Sequence, residues 1–228
     1  MRRLAYHLVD VFTDRPFGGN QLAVFTNGRG VSGDLMQQIA KELNLSETTF
    51  VLPPEGADCD YRLRIFTPAA ELPFAGHPTI GTAFVLAREN FFEPTNDKAT
   101  IRFQEGVGPI PVTISFDDKV PSLVTMQQPL PEFGPEFADR KVIAEMLSIE
   151  PAGLDERYPV QVVSSGVPFW YVPIKDMKTI KRVRLKTDAW ERALKDSASP
   201  HVFMFTTETE SPDSTVHSRM FAPAFGIA

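Results

Sequence analysis

The 228-residue sequence contains a single cysteine, Cys59. That excludes a disulfide framework within the chain, a cysteine-rich metal site, and acid–base chemistry that needs two facing thiols. No apolar run approaches the roughly 20 residues of a membrane span. The opening "MRRLAYHLVDVF" carries two arginines but then alternates, without the apolar stretch of a signal peptide. Lysine and arginine together number 23 against 29 aspartates and glutamates, giving a formal net charge of -6. With no long basic block, nucleic acid is not an expected partner. Gly18-Gly19 lacks the Lys-Ser/Thr and following helix of a phosphate loop, and no nicotinamide fingerprint appears. The expected setting is the cytosol, with no membrane contact, no metal and no cofactor.

What is present is enough apolar residue, 43%, to build a sizeable core. The length suits one large domain or two of roughly 110 residues. "LAYHLVDVFT" alternates apolar and polar residues and reads as a strand. "DRPFGGNQLAVF" reads as a turn into a second strand. Residues 32–43 place Leu35, Met36, Ile39, Ala40 and Leu43 on one helical face, and Asn44 and Ser46 stop that helix. "ETTFVLPP" and "DYRLRIFTP" are β-branched and aromatic, so strands are expected there.

A helix is expected near residues 78–89, entered through Pro78. It is apolar around most of its circumference, with charge only at Arg88 and Glu89, and so reads as a buried helix. In a chain otherwise rich in strands, its place is inside a curled sheet. Two strands follow, broken at Gly106 and Gly108. Proline punctuation after residue 117 points to a domain junction, and the sequence divides into domains 1–118 and 119–228. The second half reads as helix "RKVIAEMLSI", strand "YPVQVVSSGVPFWYVPI", helix "TDAWERALKDS", and strands "HVFMFTTE" and "STVHSRMFAPAFGIA".

The two halves echo each other. Arg64-Ile65-Phe66-Thr67-Pro68-Ala69 matches Arg219-Met220-Phe221-Ala222-Pro223-Ala224 in pattern. "TDRPFGGNQLAVF" and "SSGVPFWYVPI" share a turn, Pro-Phe and a strand; "SETTFVLPP" and "SPHVFMFTTE" follow in the same order. Shared order points to duplication. In the first half this motif leads to Gly76-His77-Pro78-Thr79 and the buried helix. A duplicated second half would continue for about 30 to 60 residues more on the usual scale of small domains. The second domain is therefore expected to be truncated before its central helix.

The chemistry concentrates at that helix mouth. The free N–H groups of a first turn and the helix dipole favour an anion, and Gly76 admits a ligand close to the backbone. His77 adds an imidazole that can take or give a proton near neutral pH. A capped helix with a structurally bonded histidine is the competing reading. Glu47, at the start of an apolar strand, is either a solvated strand-edge residue or a pocket carboxylate; burial would raise its pKa and suit a group that both takes and gives a proton. Asn20, after Gly18-Gly19, is a candidate neighbour or simply a turn residue. Cys59 lies in a polar loop, His7, His201 and His217 lie on strands without ligand spacing, and Trp170 and Trp190 read as core or interface residues.

"DVFTDRPFGGNQLAVF", "LSETTFVL" and "RIFTPAAELPFAGHPTIGTA" resemble the phenazine-biosynthesis PhzF-like family, relatives of diaminopimelate epimerase. The match is dense over the first half and loose over the second, through "RMFAPAFGI". The resemblance implies an α+β fold of two similar domains, each a β-barrel-like sheet around a central helix, and a homodimer. It implies a cofactor-independent isomerase whose shuttle is Glu47, with His77 beside it and Gly76 donating to the substrate carboxylate; Asn20 lies in the family's Gly-Asn motif. The family continues into an Asp-Pro-x-Thr-Gly-Ser stretch that this sequence does not contain, so half of the expected site is expected here. The function expected is proton movement between carbons of a small carboxylic acid. The alternative is a catalytically incomplete binding or interaction protein. A racemase would need a second acid–base group opposite Glu47.

Overall fold

The structure is a computed structural model describing residues 3–197 and 199–225. The chain forms two compact units, Met1–Pro129 and Leu130–Ala228. The first is built on a sheet in the order β1-β2-β3-β4-β6-β7-β8, with the short β5 paired to β4. Its strands are β1 (His7–Val11), β2 (Asn20–Phe25), β3 (Glu47–Leu52), β4 (Tyr61–Phe66), β5 (Glu71–Leu72), β6 (Lys98–Glu105), β7 (Gly108–Asp117) and β8 (Val120–Met126). Its helices are α1 (Gly33–Leu43) and α2 (Gly76–Arg88).

This sheet curls around α2. The helix packs against β1, β2 and β3 towards one end of the strand order and against β7 and β8 at the other. A helix touched by both edges of one sheet has no solvent face left to charge, which is why its sequence is apolar. Pro78, Thr79, Gly81, Thr82, Ala83, Val85, Leu86 and Ala87 are all buried. Gly81 sets the approach distance: a Cβ there would lie 2.6 Å from Val11 Cγ2 and 2.7 Å from Leu22 Cδ2.

The outer face of the same sheet is covered by α1. Ala23, Phe25, Phe50 and Phe66 pack there with Met36 and Ala40 of the helix. The inner face carries Val11, Leu22 and Val24 against Val85. β2 is thus buried on both faces, as its unbroken apolar run requires. Ser32 caps α1 by accepting from the Leu35 N–H, and Asn44 ends it in the left-handed region at φ 51°. Leu35, expected on the apolar face, is 44% exposed.

The second unit is a five-stranded sheet in the order β13-β12-β11-β10-β9. The strands are β9 (Glu132–Glu136), β10 (Gln161–Ser164), β11 (Pro168–Pro173), β12 (Val202–Thr206) and β13 (His217–Phe221). Helices α3 (Arg140–Met146), α4 (Met177–Arg182) and α5 (Thr187–Ala193) share its core: Ile143, Met146, Ile180, Trp190, Val162, Trp170, Val172, Val202 and Met204 form one cluster. The segment 158–174, read above as one strand, is a hairpin that turns at Gly166, φ 119°. Helix α4 was not anticipated; Asp176 caps it by accepting from the Thr179 N–H.

The duplication seen in the sequence reappears in the ladders. β1–β2 is antiparallel, β2–β3 parallel and β3–β4 antiparallel. β10–β11, β11–β12 and β12–β13 repeat that series. In both units helices bridge the parallel pair, since parallel neighbours need a crossover. Phe50 pairs with Arg64 as Met204 pairs with Arg219. The second sheet's face away from its helix-side core carries Phe169, Tyr171 and Phe203, with Tyr171 and Phe203 ring centroids 4.9 Å apart. Among the described residues no helix of the second unit corresponds to α2, and the expected end of the last strand, residues 226–228, lies outside the described residues.

The sequence placed the junction at 118/119. β8 instead extends the first sheet by pairing with β7 from Val112–Met126 to Asp117–Val120, and the units divide after Pro129. Among the described residues no helix is long and apolar enough to cross a membrane.

Candidate active site

The mouth of α2 opens earlier than the proline suggested. The helix begins at Gly76 with Ala75 as N-cap, and Pro78 is its third residue. Proline fits there because the third N–H of a helix also lacks an intrahelical partner. No side chain caps this end. The first-turn N–H groups of Gly76 and His77 therefore lack the usual capping oxygen, and both residues are only half-buried.

Glu47 is delivered to this mouth by strand register. The parallel ladder pairs Leu22 with Glu47 and Val24 with Thr49. Leu22 and Val24 face α2, so Glu47 and Thr49 face it too. Thr49 Oγ1 lies 2.9 Å from Thr82 Oγ1, pinning β3 to the helix one turn beyond His77. Glu47 is 6% exposed, and its Oε2 lies 3.1 Å from His77 Nε2. Neither atom has a hydrogen-bond partner: the two are at ion-pair distance without an aligned N–H···O bond. A carboxylate oxygen and an imidazole nitrogen, both buried and both still owed a partner, are poised to engage a third group.

Of the four residues singled out in the sequence, Glu47, Gly76 and His77 come together. Asn20 sits at the first residue of β2, paired with Val11, on the same sheet face as Leu22 but exposed at the rim. It gives no hydrogen bond to Glu47 Oε2 or His77 Nε2. Cys59 is set apart in its loop, its thiol pushed up by burial and by the neighbouring Asp58 and Asp60, which disfavours the reactive thiolate. Among the described residues no cluster of three or more His, Cys, Asp or Glu side chains could hold a metal ion.

Two residues at the mouth escaped the sequence analysis. Thr79 Oγ1 lies 2.7 Å from the Ala75 carbonyl and 2.7 Å from Glu105 Oε1. Glu105 is 6% exposed, and burial pushes its carboxyl up to about 8, with the Thr79 bond pulling the other way. The signal was available: alternation along β6 puts Ile101, Phe103 and Glu105 on one buried face. A carboxylate ending an inward-facing series is the anomaly to notice.

Comparisons with known proteins agree with this architecture. The sequence model of the PhzC–PhzF family, described as phenazine biosynthesis-like protein, matches residues 9–228. An isomerase of Mesorhizobium japonicum is 37% identical over 98% of this chain and 74% of its own length. The trans-2,3-dihydro-3-hydroxyanthranilate isomerase of Pseudomonas aeruginosa is 36% identical over 97% of this chain and 73% of its own length. A crystal structure of a PhzF-family phenazine biosynthesis protein from Bacillus anthracis superposes with TM-score 0.85 at 26% identity, over 99% of this chain and 74% of that one. A hydroxyproline epimerase from Agrobacterium vitis, 13% identical with TM-score 0.59, shares the fold. The α+β architecture, the curled sheet around α2 and the matched relatives lead to one assignment: the chain belongs to the PhzC–PhzF family of phenazine biosynthesis-like proteins, and is an isomerase.

Proposed function

We propose that the protein moves a proton between two carbons of a small carboxylic acid, with Glu47 as the shuttle. The observation that carries this reading is the Glu47–His77 pair: Oε2 and Nε2 are buried, 3.1 Å apart, and neither atom has a hydrogen-bond partner. As a carboxylate, Glu47 removes a proton from a carbon beside a double bond. The C–H electron pair moves into the adjoining bond, the double bond shifts, and protonated Glu47 returns the proton to its far end. Substrate and product have the same composition, so the step needs no oxidant and no second substrate.

Binding and orientation fall to the helix mouth. The uncapped N–H groups at Gly76 and the positive end of α2 favour the substrate carboxylate. His77 holds the polar end beside Glu47, and Asn20 at the rim of the same sheet face offers a further hydrogen bond. The Pseudomonas relative is named for a cyclic amino acid derivative, which makes trans-2,3-dihydro-3-hydroxyanthranilate the first substrate to try, followed by other cyclic carboxylic acids. Turnover in deuterated water reads the shuttle directly. Deuterium should enter the product with the native protein and not with Glu47→Gln. If Glu47→Gln exchanges hydrogen as fast as the native chain, the shuttle role is lost; binding without exchange in either protein leaves a binding protein of the same fold.

A further inference from the structure

Glu105 ends β6 with its side chain turned into the barrel. Its Oε1 touches Thr79 Oγ1 at 2.7 Å, and that same hydroxyl oxygen touches the Ala75 carbonyl at 2.7 Å. A threonine hydroxyl has one proton, and a carbonyl has none. Shared between two acceptors, that one proton makes two weakened bonds; both contacts reach full strength only if one of the partners donates to Oγ1. Glu105 in its acid form is the only one that can.

We infer that Glu105 is a protonated carboxylic acid and the positioning residue of the α2 mouth, donating to Thr79 so that Thr79 donates to the Ala75 carbonyl. The inference deepens the proposed function and rests on reading the Gly76–His77 mouth as the substrate cradle. Ala75 is the N-cap residue, so the relay fixes the backbone immediately before Gly76 and His77. Burial supports it, holding the carboxyl near 8. Arg62 of β4 pairs with Glu55 and Arg64 of β4 with Glu71 of β5, His77 of α2 stands at ion-pair distance from Glu47, and among the described residues no ion pair reaches Glu105. Glu105 Oε2 has no partner at all. A buried carboxylate there would be left without a counter-charge, whereas the acid is neutral.

The arrangement has a chemical point. A neutral acid fixes the helix mouth without adding negative charge beneath a cradle meant for a carboxylate. On ionisation the direction of the relay reverses: Thr79 donates to Glu105 and lets go of Ala75.

Two measurements on the full chain, without substrate, test this. Infrared difference spectra should show a protonated-carboxyl stretch at neutral pH that is missing from Glu105→Gln; its absence from the native protein overturns the inference. The proton NMR signal of the His77 ring, assigned among the four histidines with His77→Gln, should shift near pH 8 as Glu105 ionises. Glu105→Gln, which keeps a donor and cannot ionise, should remove that shift. Thr79→Val should displace the His77 signal and Thr79→Ser should restore it. A His77 signal with the same pH dependence in native protein and Glu105→Gln refutes the positioning role, and this arm decides alone if Thr79→Val does not fold. Neither readout depends on turnover, so a failure here is distinct from a failure of the isomerase reading, which Glu47→Gln decides in deuterated water.

Discussion

Glu47 on β3 and His77 on α2 meet through two different periodicities, their nearest atoms 3.1 Å apart and 12% or less of each side chain exposed. Strand alternation turns Glu47 inwards; the first turn of the helix brings His77 down onto it. Removing either partner leaves the other buried and alone. Glu47→Gln should therefore lower kcat by 10²–10⁴, the usual worth of a positioned general acid–base, with KM changed little. His77→Gln should lower kcat less, since it takes away a neighbour and not the shuttle. Steady-state kinetics on the first substrate that shows solvent exchange checks both.

Stability should fall as pH rises, because of Glu105. Its folded-state value of about 8 lies above the ordinary 4.5. Between those values the folded chain holds a proton that the unfolded chain has lost. The contribution is fully present below about 4.5, shrinks as pH climbs, and is gone once pH passes about 8. The slope reaches at most about 1.4 kcal/mol per pH unit. Thermal melts of native protein and Glu105→Gln, taken from pH 5 to 9, should show the Tm difference between them shifting steadily in favour of Glu105→Gln until about pH 8 and then levelling. Parallel curves would mean that Glu105 titrates alike in both states.

Much of this was legible in the sequence because each clue was local. The apolar circumference of residues 78–89 announced a helix enclosed by sheet, and Arg-apolar-Phe in both halves announced the repeated ladder. Glu47, Gly76 and His77 stood out as polar residues in apolar or punctuated settings. What stayed hidden depended on contacts across the fold. The Thr49–Thr82 bond joins residues 33 apart, and Glu105 meets Thr79 from 26 residues away. The boundary was misplaced because Val120 and Leu123 look like linker beside proline, and only pairing with β7 makes them strand. Repeat alignment also shows something that spacing concealed. With Phe50 equivalent to Met204, Glu47 falls on His201, buried at 3% and held well below its ordinary value, about 4, by burial.

Gly81→Ala opposes two effects. Alanine gains about 1 kcal/mol over glycine in a helix interior. Here its methyl would stand 2.6 Å from Val11 Cγ2 and 2.7 Å from Leu22 Cδ2, closer than carbons tolerate. Both neighbours are buried on the strands that flank α2, so neither can swing away. Overpacking of this kind costs about 1–3 kcal/mol and should win. Urea unfolding should show a lower midpoint with unchanged m-value; a midpoint at or above native would mean that α2 slides freely in its sheet.

Gly76→Ala separates fold from function. A Cβ at residue 76 meets only Met126 Cε, at 3.6 Å, an ordinary contact. The residue opens a helix, where alanine is at least as comfortable as glycine. Tm should therefore hold or rise slightly. The new methyl instead adds bulk at the half-buried first residue of α2, where the proposed substrate carboxylate docks. Losing one good charge-assisted contact there costs about 1.4 kcal/mol, a tenfold rise in KM, while Glu47 remains intact and kcat falls less. Equal KM in native protein and Gly76→Ala, at equal Tm, would show that the substrate carboxylate docks elsewhere.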